Sequence, residues 1–285
     1  LNNLLNITNT ELKQYVGICL FTSIVQIPIV RRYWNTDIGF TPIKNVMSIK
    51  RFEQIRRFIH FNDTTSAYPK DHKSHDRLYK IRPVIEHLNK QFSKVPLERD
   101  LSKDEQLCAT KAHSFLKQYL PLKPHRWGYK FFVLCGSSGY SYKIELYTGQ
   151  ENFEQYRLQS EPDLMANANV VIRLSRAIPK HRNHRVYFDN YYTTIPLITY
   201  LVSQGIHSLG TVRRNRIPNC TFLAEKVINK KSRGTSYAYI VVYDNIPVTS
   251  VLWKDNKLVT LLSSYCGILP DKTICRFDKK RKKKY

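Results

Sequence analysis

The first part of the chain carries apolar side chains at helical spacing. A cap-type residue, Thr8, precedes an apolar stripe that predicts a helix, and Pro28 is expected to end or bend it. Ser48 opens a second helix, and a third is predicted over residues 77–92. We therefore predict a helical region that extends to about residue 99.

The period of the pattern changes in the middle of the chain. Two aromatic, β-rich runs flank a Gly/Ser turn at 136–139, which predicts a β-hairpin. Helices and strands then alternate, with helices predicted over 163–177 and 193–204 and strands over 184–188 and 206–212. After about residue 215 the pattern is β again, and 248–253 and 258–263 are predicted to pair. This order predicts a mixed α/β fold.

Length and pattern together suggest three regions. With 285 residues the chain can form one large domain or two ordinary ones. We expect a helical region over 1–99, the first part of an α/β core over 100–214, and a β-rich region with a basic tail over 215–285. No apolar run is long enough to cross a bilayer, so we expect no membrane partner.

Charge narrows the choice of partner. Lys and Arg number 46 against 22 Asp and Glu, which gives a net charge of +24. Such an excess favours a polyanion, and nucleic acid is the commonest one, although a basic protein without that function is the alternative. The basic run 279–284 is typical of a nuclear-localisation or phosphate-binding segment.

The six cysteines do not indicate a metal site. None forms a C-x-x-C pair, and no histidine stands at zinc-ligand spacing from a cysteine pair. Their low density in a chain of this length also argues against a disulfide framework. We expect a reducing intracellular compartment.

Two acidic residues are candidates for metal chemistry. Asp104 stands before the β-rich core, and Asp189 follows a predicted strand. Two carboxylates at strand ends can bind a divalent cation that polarises a phosphate. The residues alone leave open the alternative that each caps a turn or helix. Trp127 is expected in the core, and contact with DNA is the alternative.

Several segments, in order along nearly the whole chain, resemble piggyBac-type transposases. The central block contains Asp104-Glu-Gln-Leu followed by the segment 117–130, which reads KQYLPLKPHRWGYK. The most specific matches are 187–197, YFDNYYTTIPL, and 210–216, GTVRRNR. No single motif decides the resemblance, but the colinear set is strong.

The resemblance implies an RNase H-like catalytic core, preceded by a split helical dimerisation and DNA-binding domain and interrupted by a β-rich insertion. In the family three Asp residues hold two metal ions, Mg²⁺ or Mn²⁺, which cut and join DNA strands at TTAA target sites. Asp104 matches the first of these residues and Asp189 the second. The resemblance also implies a nuclear protein that binds DNA as a homodimer, without a small-molecule substrate.

Four basic residues are expected to contact DNA. Three arginines follow a predicted buried strand near the DNA channel that the resemblance implies, and the alternative for them is a solvated loop. The fourth lies in the central block. The expected DNA-contacting residues are Lys130, Arg213, Arg214 and Arg216.

The sequence departs from the family in two places. The family's third Asp lies in a Met-Gly-Gly-Val-Asp segment on a late core helix, and the chain stops at 276–285 without such a segment or the cysteine-rich module that follows. The family usually has Gly-Arg where this chain has Ala112 and His113, which removes a permanent cation. We therefore expect an incomplete core.

Three hypotheses follow. The first is a transposase-derived DNA-binding protein with little or no strand cleavage by this chain alone. The second is part of an active metal-dependent recombinase whose third ligand lies outside this chain. The third is a structural or regulatory protein that binds DNA or transposase chains through its helical part.

Overall fold

The computed structural model describes residues 5–149 and 153–270, together with the backbone of Phe277–Asp278 and Lys283–Lys284. The polypeptide packs as two compact units, Leu1–Pro83 and Val84–Tyr285. Over the part of the chain described, no helix has the length and apolar character needed to span a membrane. Most of the basic run 279–284 lies outside the described residues.

The first unit is helical, as the sequence pattern predicts. Thr8 and Glu11 form a capping box, in which the Thr8 hydroxyl accepts the Glu11 N–H at 3.1 Å and the Glu11 carboxylate accepts the Thr8 N–H at 3.1 Å. Ser48 caps the third helix by accepting the Arg51 N–H at 3.3 Å. The α-helices of this unit are α1 (Asn9–Ile24), α2 (Thr41–Lys44) and α3 (Ile49–Phe58).

A small core holds the first unit together. Its buried side chains come from the three helices, the 3₁₀ turn Val30–Trp34 and the link between α2 and α3; they are Ile18, Tyr33, Ile43, Met47, Phe52 and Ile55. An ion pair between Glu11 of α1 and Arg51 of α3, with 2.8 Å between Oε1 and Nε, joins two of these helices. Burial of one apolar face of each helix therefore explains why the three pack.

Helix α4 (Arg82–Phe92) begins later than the sequence pattern predicts. The Asp76 carboxylate accepts the Leu78 N–H at 2.8 Å and pairs with Arg82, which fixes the preceding residues as turns. Pro83 suits the first turn of a helix because it has no N–H to donate. Local side-chain bonding thus moves the helix start from residue 77 to Arg82.

The second unit is built on a nine-stranded sheet in the order β2-β3-β1-β5-β6-β9-β8-β7, with β4 also pairing β3. Helices α5 (Met165–Ser175), α6 (Ile195–Ser203) and the short α7 (Glu225–Ile228) belong to this unit. The strands are β1 (Asp100–Ala109), β2 (Gln118–Tyr119), β3 (Trp127–Gly136), β4 (Ser141–Leu146), β5 (Arg185–Phe188), β6 (His207–Thr211), β7 (Ser236–Tyr243), β8 (Ile246–Lys254) and β9 (Leu258–Ser263).

Five of these strands have the RNase H-like arrangement. Strands β4, β3 and β1 are successive antiparallel neighbours, whereas β1, β5 and β6 are parallel. Helix α5 connects β4 to β5, and α6 connects β5 to β6. Parallel neighbours need such crossovers. The predicted fold class, a mixed α/β protein with an RNase H-like core, is confirmed.

The main hydrophobic core lies between this sheet and helices α5 and α6. Leu101, Val186 and Phe188 face it from the strands, and Val171 and Leu197 are fully buried on the helices. Alternation along β1 and β5 places these strand residues on one face of the sheet. The opposite face remains available to carry the polar residues of the site.

The β-rich region after residue 215 extends the core sheet. Strand β9 pairs antiparallel with β6, with Leu209 opposite Ser263, and β8 and β7 follow outward. The predicted pairing of 248–253 with 258–263 is confirmed by β8 and β9. By pairing with β6, β9 satisfies backbone donors and acceptors that would otherwise be exposed at the edge of the sheet.

Glu98 ties the start of β1 to the turn between β3 and β4. Its carboxylate accepts hydrogen bonds from the hydroxyls of Ser137, Ser138 and Tyr142. The bonds from Ser137 and Ser138 lower the pKa of Glu98 from 4.5 to about 2. The carboxylate therefore favours the folded state above pH 4.5, and this contribution is lost as the pH falls to about 2.

We expect Glu98→Gln to flatten the loss of stability between pH 4.5 and about pH 2, because the variant has no carboxylate to protonate. The measurement is urea unfolding at several acidic pH values. Glu225→Gln, at an exposed position, is the control. Its unfolding free energy should fall with decreasing pH as steeply as that of the unmodified protein. An unchanged slope in Glu98→Gln would contradict this assignment.

Candidate active site at the carboxyl ends of the parallel strands

Asp104 lies on β1, and Asp189 directly follows β5, the neighbouring parallel strand. The last register pair of β1 and β5 is Lys103 opposite Phe188, and the two aspartates follow directly. Both residues are exposed. Neighbouring strands lie about 4.8 Å apart, so this register brings together two side chains that are distant in sequence.

Both aspartates also accept hydrogen bonds from the residues that follow them in the chain. Oδ1 of Asp189 accepts the Tyr191 N–H at 2.9 Å, and its main-chain carbonyl accepts the Thr193 hydroxyl at 2.8 Å. Oδ1 of Asp104 accepts the Glu105 N–H at 2.7 Å. Asp189 therefore does form a turn, which is the alternative that the sequence left open for it. A carboxylate has further lone pairs, so turn formation does not exclude metal binding.

The two aspartates fit part of a divalent-cation site. Mg²⁺ and Mn²⁺ prefer oxygen ligands, and exposed carboxylates on adjacent strands supply them. Within the described ranges, His, Cys, Asp and Glu nowhere come together in groups of three that could hold a metal ion. The remaining coordination positions at Asp104 and Asp189 would thus belong to water and phosphate oxygens.

A buried ionic cluster lies on the opposite, helix-facing side of β1. Glu105 Oε1 is 2.9 Å from the Lys130 ammonium nitrogen, and the Tyr192 hydroxyl donates to the same carboxylate. Lys103 lies over the ring faces of Tyr192 and Phe132. We call Lys103, Glu105, Lys130 and Tyr192 the sub-site cluster, because they lie on the face of the sheet opposite to Asp104.

Burial controls the charges of the sub-site cluster. Lys103 is 2% exposed, and this burial lowers its pKa to about 6, although Glu105 partly opposes the shift. Its ammonium nitrogen has no hydrogen-bond partner in the described part of the chain. Burial would raise the pKa of Glu105, but the hydrogen bonds from Tyr192 and Lys130 outweigh it and lower that pKa. Burial also raises the pKa of Tyr192.

Sequence reasoning missed the sub-site cluster, although the sequence carries a signal for it. In a strand, Lys103 and Glu105 must share one face and Asp104 must lie on the other. A metal-site motif draws attention to Asp104 alone. The neighbouring charges are recognised only when the segment is known to be a strand with one face against helices.

The arginine segment after β6 lies at the same edge of the sheet as the aspartates. Arg216 donates to the main-chain carbonyls of Asn190 and Tyr191, and so braces the turn that begins with Asp189. Arg214 donates to the carbonyls of Phe222 and Leu223 at 2.7 and 2.9 Å.

The four basic residues expected to contact DNA therefore occupy different environments. Arg213 is exposed, which suits contact with a phosphate. Arg214 and Arg216 already bond to backbone carbonyls, which suits positioning of the loops. Lys130 is only 7% exposed and pairs with Glu105, which argues against a phosphate contact for its ammonium group.

Trp127 is 53% exposed, so the expectation of a core position is wrong. Its ring packs on Tyr119, with 4.9 Å between centroids, and the Lys117 ammonium nitrogen lies 5.3 Å from its centroid. Trp127 is the first residue of β3, where that strand pairs with the two-residue strand β2 at the edge of the sheet.

The sheet order, with one aspartate on β1 and another directly after β5, is that of an RNase H-like fold. The chain matches the protein-family model described as Transposase IS4 over residues 2–284. It belongs to that transposase family, and the resemblance to piggyBac-type transposases is confirmed by its relatives.

Human piggyBac transposable element-derived protein 3 is 32% identical over 290 residues, which cover 98% of this chain and 46% of that protein. Human piggyBac transposable element-derived protein 2 is 29% identical over 273 residues, which cover 93% of this chain and 44% of that protein. The chain thus spans less than half the length of these two relatives.

A solved structure has the same fold. It is the cryo-EM structure of a piggyBac transposase synaptic complex with hairpin DNA, and the TM-score is 0.73. The sequence identity is 22%, and the match covers 98% of this chain and 55% of that chain. At this identity the similarity establishes the fold.

Proposed function

We propose that this chain is a transposase-derived DNA-binding protein whose site retains two metal ligands, Asp104 and Asp189. The observation that supports this proposal is the register of β1 with β5, in which Asp104 and Asp189 directly follow the paired residues Lys103 and Phe188. We also propose a nuclear location, as the resemblance to the family implies. As in the family, a homodimer is the proposed assembly.

Charge at the same edge of the sheet supports DNA as the partner. The segment 110–126 between β1 and β3 has four Lys or Arg residues and no acidic residue. Phe115 and Trp127 in and beside it are 70% and 53% exposed. Basic groups interleaved with exposed aromatic rings suit a phosphate backbone and unstacked bases. The similar transposase was solved in complex with hairpin DNA.

The proposed cofactor is Mg²⁺ or Mn²⁺, held by Asp104 and Asp189. Such an ion, when bound, polarises a phosphate oxygen and stabilises charge during strand cleavage. Two carboxylates offer too few oxygens and too little negative charge to hold the two cations of the family site firmly. We therefore propose weak metal binding and little or no strand cleavage by this chain alone.

A second candidate is an active recombinase, in which the third ligand is supplied from outside this chain. The exposure of Asp104 and Asp189 favours this candidate, because a cation held by two exposed carboxylates can be reached by a third ligand. A third candidate, a structural or regulatory protein, rests on the separately packed helical unit Leu1–Pro83.

The test measures binding of labelled hairpin DNA ending in TTAA, together with nicking of that DNA in Mg²⁺ and in Mn²⁺. The expected result is DNA binding without nicking. The binding should weaken as salt rises, because phosphate contacts release counterions. Nicking that both Asp104→Asn and Asp189→Asn abolish would establish the second candidate. Dimers without DNA affinity would support the third candidate and overturn the proposal.

Arg213→Ala is expected to lower DNA affinity and to reduce the slope of log affinity against log salt by about 1, because one phosphate contact is lost. Arg182→Ala is the matched control, since Arg182 is exposed and precedes β5, at the other edge of the sheet. The measurement is fluorescence anisotropy over a salt series. An equal change in both variants would contradict a specific contact by Arg213.

A further inference from the structure

The turn between β2 and β3 holds a leucine side chain almost entirely in water. Leu122 is 97% exposed, and the two strands pair directly below it. The Lys123 N–H donates to the Leu120 carbonyl at 3.2 Å, which closes a β-turn with Leu122 at its third position. The Leu120 N–H donates to the Arg126 carbonyl at 2.7 Å and closes the base of the loop. The fold therefore presents one large apolar side chain at the end of a short loop.

Two prolines make this turn stiff. Pro121 and Pro124 stand on either side of Leu122 and Lys123. A proline ring fixes φ at about −65°, and Pro121 occupies the second position of the turn, where that angle is required. A stiff loop loses little conformational entropy when its tip is buried against a partner. Leu122 is therefore already held in position for a contact.

The side chain of Lys123 ties the turn to the strand that carries Asp104. Its ammonium nitrogen donates to the main-chain carbonyl of Glu105 at 3.1 Å. Glu105 directly follows Asp104 on β1. The start of β3 lies opposite the end of β1, where Gly128 pairs with Ala109. The turn thus lies at the same edge of the sheet as the two proposed metal ligands.

The surface around Leu122 is basic. Arg126 is exposed on the same loop, and the segment 110–126 contains no acidic residue. The Lys117 ammonium nitrogen lies 5.3 Å from the centroid of the Trp127 ring. Such a surface attracts the phosphates of DNA. The large apolar surfaces of DNA are the faces of its stacked bases, so a leucine held among phosphates is buried when it enters between two bases.

We propose that Leu122 is a wedge that enters between two neighbouring base pairs of bound DNA and unstacks them. This inference rests on the DNA binding proposed above and adds to it a distortion of the DNA near Asp104. Unstacking costs free energy, which burial of the leucine offsets. The cost is lowest at pyrimidine–purine steps such as TA and CA, which unstack easily. Leu122 therefore favours such steps and gives the chain a sequence preference without a hydrogen bond to a base.

The test uses the unmodified chain and a duplex that carries 2-aminopurine as the purine of one TA step. Stacking quenches the fluorescence of 2-aminopurine, so binding is expected to raise it at least about twofold. Leu122→Ala should lose most of this rise. Its DNA affinity, measured by fluorescence anisotropy, should stay within about threefold of the unmodified value, because phosphate contacts supply most of the affinity. A duplex in which an AA step replaces the TA step should show a smaller rise.

Leu122→Met and Leu269→Ala are the matched controls. Methionine keeps a long apolar side chain, so Leu122→Met should keep the fluorescence rise. Leu269 is 75% exposed and lies after β9, outside the basic segment 110–126, so Leu269→Ala should also keep the rise. Circular dichroism should show all three variants folded, because each change is at an exposed side chain.

The outcomes separate the wedge from the proposed function. DNA binding without a fluorescence rise, or an equal rise in Leu122→Ala, overturns the wedge and leaves DNA binding intact. Equal rises at the TA and AA steps overturn the preference for easily unstacked steps. A lack of DNA binding by the unmodified chain at low salt overturns the proposed function, and the wedge with it.

Discussion

Replacing Lys103 with methionine is expected to stabilise the protein by about 1 to 4 kcal/mol at pH 7. The Lys103 side chain is 2% exposed, and its amino group lacks a hydrogen-bond partner within the described residues. Methionine has a similar length and fills the same apolar space against Phe132 and Tyr192 without a charge to desolvate. The lysine is therefore a cost to folding that the neighbouring Glu105 only partly offsets.

The pH dependence identifies the cause. Burial lowers the pKa of Lys103 from 10.5 to about 6, so at pH 7 the unfolded chain holds a proton that the folded protein has released. Stability of the unmodified protein therefore rises with pH between about 6 and 10.5. The advantage of Lys103→Met should be largest below pH 6 and should shrink towards pH 10.

The measurement is urea unfolding of both proteins at pH 7 and pH 10. Lys180→Met, at an exposed position, is the control and should change the unfolding free energy by less than about 0.5 kcal/mol. A gain for Lys103→Met that is equal at both pH values would show that shape, and not the charge of Lys103, limits stability.

Replacing Glu105 with glutamine is expected to destabilise the protein by about 2 to 4 kcal/mol at pH 7. The carboxylate pairs with Lys130 at 2.9 Å and accepts the Tyr192 hydroxyl. Glutamine keeps the shape and an acceptor for Tyr192 but removes the negative charge. Lys130, which is 7% exposed, is then left buried without its counter-charge.

Urea unfolding at pH 7 measures this loss, with the exposed Glu225→Gln as the matched control. Below about pH 6, where Lys103 is protonated in the folded protein, Lys103 and Glu105 attract each other, so the effects of the two changes should not add there. The double variant Lys103→Met, Glu105→Gln should lose less stability than the sum of the two single changes predicts. Additive effects, or a neutral Glu105→Gln, would show that the sub-site cluster does not act as a unit.

Local signals in the sequence determined most of the helices and strands. The helices α1 and α3 begin where Thr8 and Ser48 predict, because a cap is formed by residues within one turn. The β3–β4 hairpin and the helices α5 and α6 were likewise predicted from period and turn residues. The exception, the start of α4, depended on the side chain of Asp76.

The sequence also pointed to Asp104 and Asp189 as a pair, through the family resemblance. It could not distinguish metal binding from turn formation, and the structure shows that Asp189 does form its turn. Their adjacency depends on the register of β1 with β5, which is a long-range property. Metal binding by these residues stays a prediction.

Only the tertiary structure decided which charges lie inside. A basic residue reads the same in sequence whether its ammonium group reaches a phosphate or, like that of Lys130, a buried carboxylate. Arg216 bonds to backbone carbonyls that come from a different strand end. These outcomes depend on which face of a strand the helices cover and on which strand lies next to it. Local periodicity carries neither fact, because both arise from packing between distant segments.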